Sequence, residues 1–560
     1  MRNIVIILLV FISFLGLKDV VEYDYRQYES PFIFLFALLL SLWKTLAIVG
    51  LWKLAGMPKR KGVRRMLRIA VGFLAGIYCL LCLVNWTSSV LYGFGITRRL
   101  ITIFMQTTTT ETIEYLPVLW SNIEIDPNVI ILLLVLIGCF LAVNRLKHVA
   151  QPEEAATEPD TRYRGEKIRL LSVAALMTIV LGAWVALTRP NGRINYLVAG
   201  RTTLAIADVI KFQQEAKQMY AEKKELQYKE TIADADSIDN IVLMIGESID
   251  TRHCSMYGYQ LPTNKHTAAM KDSLLVFKDV ISPYCGTNEV MTRMLTFMDD
   301  SPQTKAEAWA SHPDIVSIMK AAGFSCYWLS NQQKLGNYMD CTTPIASNAQ
   351  QEVWLTEYSS DNLIEQYDAE LLPHLKKALA DDSRKRFIVL HTMGAHPDFK
   401  CRYPRKQTRF TEKDYAWNNK IMGDKKAREV SAEYDNAVAY SDSVVAMAAK
   451  LALKSKGRTL LLYVSDHGQN VYDSEAGFGH HENHVNVPML MFFNKEYSAS
   501  NKAQLEALKN NLSKPMTTAN IIHSLLGLAG VSYKLYDERL DFSSGNYAPG
   551  VRYANEKPYM

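Results

Sequence analysis

Asn240-Ile241-Val242-Leu243-Met244-Ile245-Gly246-Glu247-Ser248 is an unbroken apolar run that ends abruptly in a glycine, an acid and a hydroxyl. Continuous apolar runs of this length, without polar alternation, read as strands buried on both faces. Phe387 to His391 and Thr459 to Val464 repeat the pattern, and each also runs straight into polar residues. The second run opens into His391-Thr392-Met393-Gly394-Ala395-His396, and the third into Ser465-Asp466-His467-Gly468. Helical segments such as Arg428 to Ala452 lie between them. The alternation predicts an α/β fold whose parallel sheet is covered by helices on both faces. In such sheets the active residues gather beyond the carboxyl ends of the strands.

The chain has 560 residues and a formal net charge of +5, with its apolar residues concentrated towards one end. Two unlike parts are therefore expected. Five apolar runs, Ile4 to Leu17, Phe32 to Trp52, Ile69 to Tyr92, Val129 to Val143 and Leu170 to Leu187, approach or exceed the length of a membrane-spanning helix. The first, preceded by Arg2, also has the outline of a signal peptide, but no small-x-small cleavage site follows it. The loop after the second run carries Lys53, Lys59, Arg60, Lys61, Arg64, Arg65 and Arg68 without one acid. The loop after the fourth is flanked by Arg145, Lys147, Arg162, Arg164, Lys167 and Arg169. Lys18, Arg26, Arg98 and Arg99 run against the trend, yet the sum places both of those loops in the cytoplasm. Everything after about Thr188 then lies outside the cytoplasm.

Three parts are expected: five transmembrane helices over 1–190, bridging helices over 191–237, and a catalytic domain over 238–560. In the bridge, Ala205, Val209, Phe212, Ala216 and Met219 recur at helical spacing and form a stripe for the membrane surface or the catalytic domain. Lys and Arg gather on no soluble face that would suit a polyanion, which argues against nucleic acid as a partner. The eight cysteines show no repeated spacing, so a zinc finger or redox motif is not expected. Cys79, Cys82 and Cys139 fall in apolar runs, leaving Cys254, Cys285, Cys326, Cys341 and Cys401 in the soluble part, an odd number that leaves at least one thiol free.

Carboxylates and imidazoles collected at strand ends suit zinc, which accepts N and O ligands and keeps a position open in catalytic sites. An acid after a strand is more often a helix cap or turn residue, but three such ends in one domain reverse that balance. A fourth cluster, Gly479-His480-His481-Glu482-Asn483-His484, lies one loop beyond Asp466-His467 and precedes the apolar strand Val487 to Phe493. His480 is the first choice there, because the preceding glycine permits close approach, and His481 is the second. Thr287 follows Gly286 where a helix should begin. It can cap that helix or serve as a nucleophile beside an anionic phosphate, and Thr292 and Ser282 are weaker candidates for the second role.

The order Gly-Glu-Ser, a threonine 40 residues after Glu247, HxxGxH, Ser-Asp-His-Gly and Gly-His before a Val-Pro strand resembles the phosphoethanolamine transferases that decorate lipopolysaccharide. The five-helix anchor is similar to theirs, so the likeness covers nearly the whole chain. Ser255-Met256-Tyr257-Gly258-Tyr259 and the segment Thr287 to Phe297 resemble the subgroup acting on the heptose-phosphate core. Members acting on lipid A carry several paired cysteines around the nucleophile, where this chain has Cys285 alone. The resemblance implies an alkaline phosphatase-like fold, a bacterial inner-membrane location and a periplasmic catalytic domain. It makes Thr287 the nucleophile, with Glu247, Thr287, Asp466 and His467 binding zinc. His396, His480 and His391 would then hold a second zinc or the phosphate oxygens. The donor it implies is phosphatidylethanolamine, and the acceptor is lipopolysaccharide or another envelope glycan. Gln469 stands where many relatives have Glu. Three rivals are weighed against this reading. A sulfatase needs a CxPxR-like motif, which is absent near Thr287; a glycerol-phosphate transferase of the lipoteichoic acid type would differ in the group transferred; a non-catalytic envelope scaffold would bind no zinc.

Overall fold

The structure is a computed structural model that describes residues 2–15, 32–92, 96, 100–101, 134, 137, 198–223, 232–233, 238–301, 304, 306–334, 341–356, 366–397, 399–472, 478–479 and 484–559. The chain forms two compact units. The first contains three apolar helices near the N-terminus, α1 (Arg2–Leu15), α2 (Phe32–Ala55) and α3 (Lys61–Tyr92). By length and composition, Leu38–Ala55 and Lys61–Ser88 can cross a membrane, whereas the first helix offers only the shorter apolar stretch Ile6–Leu15. Ile69, Phe73, Leu74 and Leu80 on α3 are exposed, as expected of a helix surrounded by lipid rather than water. The expected fourth and fifth spans lie outside the described residues, apart from Leu134 and Ile137. Helix α4 (Val198–Lys223) covers most of the expected bridge. Its Ala205 packs with Cys82, Ile96 and Leu100, so this part of the stripe rests on protein of the first unit rather than on the alternatives read from sequence.

The second unit is built on a seven-stranded sheet. Its strands are β1 (Asn240–Gly246), β2 (Leu274–Phe277), β3 (Ser325–Gln333), β4 (Gln351–Thr356), β5 (Arg386–His391), β6 (Thr459–Ser465) and β7 (Met489–Phe493). Their spatial order is β2-β7-β6-β1-β5-β3-β4. Every residue of β1 and β6 is buried, and since alternate side chains point to opposite faces, both faces of the sheet must be covered. One cover is the long helix α6 (Lys425–Leu453), whose Ala437, Val444 and Ala448 join Val242, Leu461 and Leu390 in the core. The helix α5 (Thr287–Met294) begins at Thr287, as the sequence suggests. Cys254, Cys285, Cys326 and Cys341 are buried and Cys401 is partly exposed.

The sheet is mixed, which corrects the expectation of a parallel one. Strand β7 runs antiparallel to both β6 and β2. A parallel return from β6 would need a helical crossover to the far end of the sheet; among the described residues between Ser465 and Met489 there is none. The chain therefore re-enters the sheet from the end at which β6 left it, with β7 paired between β6 and β2. Central strands β5, β1 and β6 remain parallel, with Ile245 opposite His391 and Gly246 opposite Ser465. Their ends are level, so the residues following them emerge side by side. Because Leu461 is fully buried in this central region, Leu461→Ala should lower the unfolding free energy by about 2–5 kcal/mol, read as a lower denaturation midpoint with an unchanged slope.

Candidate metal centre

Glu247 follows β1, Asp466 and His467 follow β6, and all three are buried. Each offers a ligand atom, and these atoms lie within 4.8 Å of one another. The Asp466 amide bonds the Gly246 carbonyl at 2.9 Å, tying the two turns at their first residues. Asp466 Oδ1 then accepts from the backbone N–H groups of Ser248, at 3.0 Å, and His467, at 2.6 Å. Asp466 Oδ2 is buried without a hydrogen-bond partner and lies 3.5 Å from His467 Nε2. The Nδ1–H of His467 donates to the Gly468 carbonyl at 2.9 Å, which fixes the tautomer and turns Nε2 towards the acids. There Nε2 lies 3.2 Å from Glu247 Oε1.

Thr287 completes the group from another element. Its hydroxyl donates to Glu247 Oε2 at 3.1 Å and lies 3.3 Å from His467 Nε2. Gly286 caps α5 in an extended conformation, so the hydroxyl stands at a helix start whose first N–H groups lack partners within the helix. The other hydroxyls considered are committed to main-chain carbonyls: Ser282 to Tyr284 at 2.8 Å and Thr292 to Glu289 at 2.9 Å. An orphaned buried carboxylate oxygen, an imidazole lone pair, a second carboxylate and a hydroxyl form an N/O donor set that fits a zinc-like divalent ion.

The electrostatics fit the same ion. Burial and the nearby Glu247 carboxylate push Asp466 up to about 8. Burial disfavours the His467 cation, yet Asp466 and Glu247 raise it to about 10. Burial also works against the Glu247 carboxylate, but the hydrogen bond and charge of His467, aided by His396, hold it well below the usual range. Without a metal, protons supply the positive charge that the two acids require.

His391 ends β5 buried, with neither ring nitrogen hydrogen-bonded, and burial pushes it down to about 4. His396 is half-buried and its Nδ1 donates to the Pro397 carbonyl at 2.6 Å. Neither joins the ligand cluster among the described residues, and His480 and His481 lie outside those residues. His484, from the same run, is buried against the Arg252–Asp250 pair, and its carbonyl accepts from the Gly468 amide at 3.2 Å. Gln469 is buried with its amide on the Asn470 carbonyl at 3.4 Å.

Sequence reading took the HxxGxH segment for its histidines and passed over its glycine. Gly394 has φ +50°, and a Cβ there would meet the Glu247 carbonyl oxygen at 2.5 Å and its amide nitrogen at 2.7 Å. The glycine lets the loop close over Glu247, where the Ala395 amide bonds the Glu247 carbonyl at 2.9 Å. Gln332 was also missed; its Nε2 donates to the Thr392 carbonyl at 2.9 Å and approaches Glu247 Oε2 at 3.4 Å. Ser248 was quoted without a role, although it has φ +59°, a conformation costing roughly 1–3 kcal/mol in a residue with a Cβ.

Phosphoethanolamine transferase EptC of Escherichia coli K12 is 27% identical over 309 residues, covering 53% of this chain and 52% of that protein. Phosphoethanolamine transferase CptA of Salmonella typhimurium LT2 is 26% identical over 334 residues, covering 58% of this chain and 56% of the other. The chain thus spans about half the length of the curated relatives it matches. Among solved structures, the zinc complex of the C-terminal periplasmic domain of Escherichia coli EptC aligns with a TM-score of 0.53 at 24% identity, over 59% of this chain and 94% of that one. The integral membrane lipooligosaccharide phosphoethanolamine transferase A (EptA) of Neisseria meningitidis aligns with a TM-score of 0.61 at 18% identity, over 95% of this chain and 97% of the other. Both likenesses are of fold, a mixed α/β sheet. The Sulfatase family profile matches residues 239–531, more than half of the 560, and the chain belongs to that family.

Proposed function

We propose that this chain transfers phosphoethanolamine from phosphatidylethanolamine to a lipopolysaccharide acceptor, core or lipid A, through a phosphothreonine formed at Thr287. The observation that carries the reading is the Thr287 hydroxyl held between Glu247 Oε2, at 3.1 Å, and His467 Nε2, at 3.3 Å. The names of the curated relatives supply the transferred group. Zinc at Glu247, Asp466, His467 and Thr287 would supply Lewis acidity, lowering the pKa of the hydroxyl and screening the phosphodiester.

The chain's own residues do the rest. Glu247 receives the Thr287 hydrogen bond and orients the oxygen towards phosphorus. The start of α5 presents main-chain N–H groups to the phosphate oxygens, and His396 and His480 are assigned to the same oxygens or to a second ion. Attack by Thr287 Oγ1 forms the new P–O bond while the bond to diacylglycerol breaks, the threonine hydroxyl proton ending on the diacylglycerol oxygen. The acceptor oxygen then displaces the threonine, returning it to its hydroxyl form. In this reading, residues 1–190 anchor the enzyme in the bacterial inner membrane through five helices, 191–237 bridge, and 238–560 act in the periplasm next to the lipid donor.

Thr287→Ala should reduce transfer roughly a thousand-fold or more without loss of fold. Mass spectrometry of lipid A and core oligosaccharide from expressing cells reads this as disappearance of the added phosphoethanolamine; transfer that persists overturns the mechanism.

The titrating groups give a second expectation. In the metal-free folded chain, Asp466 keeps its proton up to about 8 and His467 up to about 10, whereas the unfolded chain releases them near ~4 and ~6.5. Folded protein then holds more protons than unfolded between these limits, so these groups stabilise at low pH and their contribution is lost as pH rises through 8 and 10. Zinc takes the place of those protons, so its binding should release protons and tighten as pH rises across this window. Calorimetric titration in buffers of different ionisation enthalpy measures the release directly.

A further inference from the structure

Ser248 is bonded on every side. Its amide donates to Asp466 Oδ1 at 3.0 Å and its hydroxyl to Glu247 Oε1 at 2.7 Å, so one residue touches both acids of the cluster. Its carbonyl accepts from the Tyr434 phenol at 2.7 Å. The same phenol oxygen accepts from the Asp250 amide at 3.1 Å. A single oxygen from α6 thereby bridges the carbonyl and the amide two residues apart that flank the Ser248-Ile249-Asp250 turn. Ile249 is pinned as well, its amide donating to Ser465 Oγ at 2.9 Å. Tyr434 itself is fully buried, edge-on to Phe399 at 5.0 Å and to His253 at 4.8 Å between ring centroids. It has little room to follow if the turn moves.

We propose that Tyr434 and Ser248 are positioning residues for the metal centre: the phenol locks the left-handed turn, and the locked serine sets the separation of Glu247 from Asp466. This rests on the reading of Glu247, Asp466 and His467 as metal ligands. The φ of +59° at Ser248 is a conformation that a residue with a Cβ adopts only under outside restraint. The phenol is that restraint. Without it, the Ser248 carbonyl and the Asp250 amide lose a buried partner, and the turn can relax towards ordinary dihedrals by swinging the serine amide off Asp466 and its hydroxyl off Glu247.

The test uses the detergent-solubilised full chain. Zinc affinity is measured by chelator competition, and ligand geometry by the absorption spectrum of the cobalt-substituted protein. Tyr434→Phe keeps the ring and removes the bridging oxygen; Ser248→Ala keeps the amide and removes the hydroxyl. Both should weaken zinc binding about 10–100-fold and alter the cobalt spectrum. Tyr497→Phe is the control for loss of one buried phenol hydrogen bond, because Tyr497 is fully buried and donates to Gln504 at 2.9 Å; it should lower thermal stability and leave both metal readouts unchanged. Wild-type affinity and spectrum in folded Tyr434→Phe overturn the proposal, as does equal weakening in Tyr497→Phe. Where Tyr434→Phe yields no folded protein, Ser248→Ala decides in the same way. A wild-type chain that binds no zinc overturns the metal-site reading itself, an outcome visible before any variant is compared.

Discussion

Glu247 and Asp466 leave neighbouring parallel strands at the same height, and two buried carboxylates so placed need positive charge between them. The register of β1 against β6 creates that need, since Gly246 lies opposite Ser465. Much of the surrounding structure answers it. His467 turns Nε2 inward because its other nitrogen is held by the Gly468 carbonyl, and Oδ1 of Asp466 is taken by two amides. One oxygen, one nitrogen and a second acid are left facing a common point. A divalent cation satisfies all of them at once, whereas protons satisfy them only by giving up the charge of one acid.

The elements readable from sequence were those with local signals. Three central strands end within a residue or so of their apolar runs, because a strand buried on both faces has no polar residue to interrupt it. Thr287 at the head of α5 was signalled by the glycine before it. The direction of β7 was not legible, since an apolar run does not record which way it pairs; the connection preceding it decides that. Strand β3, Ser325–Gln333, carries Ser330, Asn331 and Gln332 among its apolar residues, and that mixture conceals it.

The site divides in the same way. Glu247, Asp466 and His467 stand just past the ends of apolar runs, and the family resemblance picks them out of the polar clusters there. Ser248, Gln332 and Tyr434 could not be picked out in that way, since their importance comes from partners far away in sequence: Tyr434 reaches a carbonyl 186 residues distant, and Gln332 a carboxylate 85 residues distant. Gly394 lies between the two cases. A glycine within a histidine motif is visible, but its reason, backbone passing against Glu247, appears only in three dimensions. Of its histidine neighbours, His391 is buried at the strand end beside Trp328, outside the group formed by Glu247, Asp466 and His467.

The reversed direction of β7 has a consequence for how such a protein can diversify. The segment between β6 and β7 departs from and returns to one rim of the sheet, clasped near its base where the Ser465 amide meets the Pro488 carbonyl at 3.2 Å. Past Asp466 and His467, beyond the further contact of the Gly468 amide with the His484 carbonyl at 3.2 Å, residues can be added or exchanged without shifting any strand past its neighbour. Selection can therefore rewrite the outer part of this rim while the framework beneath it keeps its register.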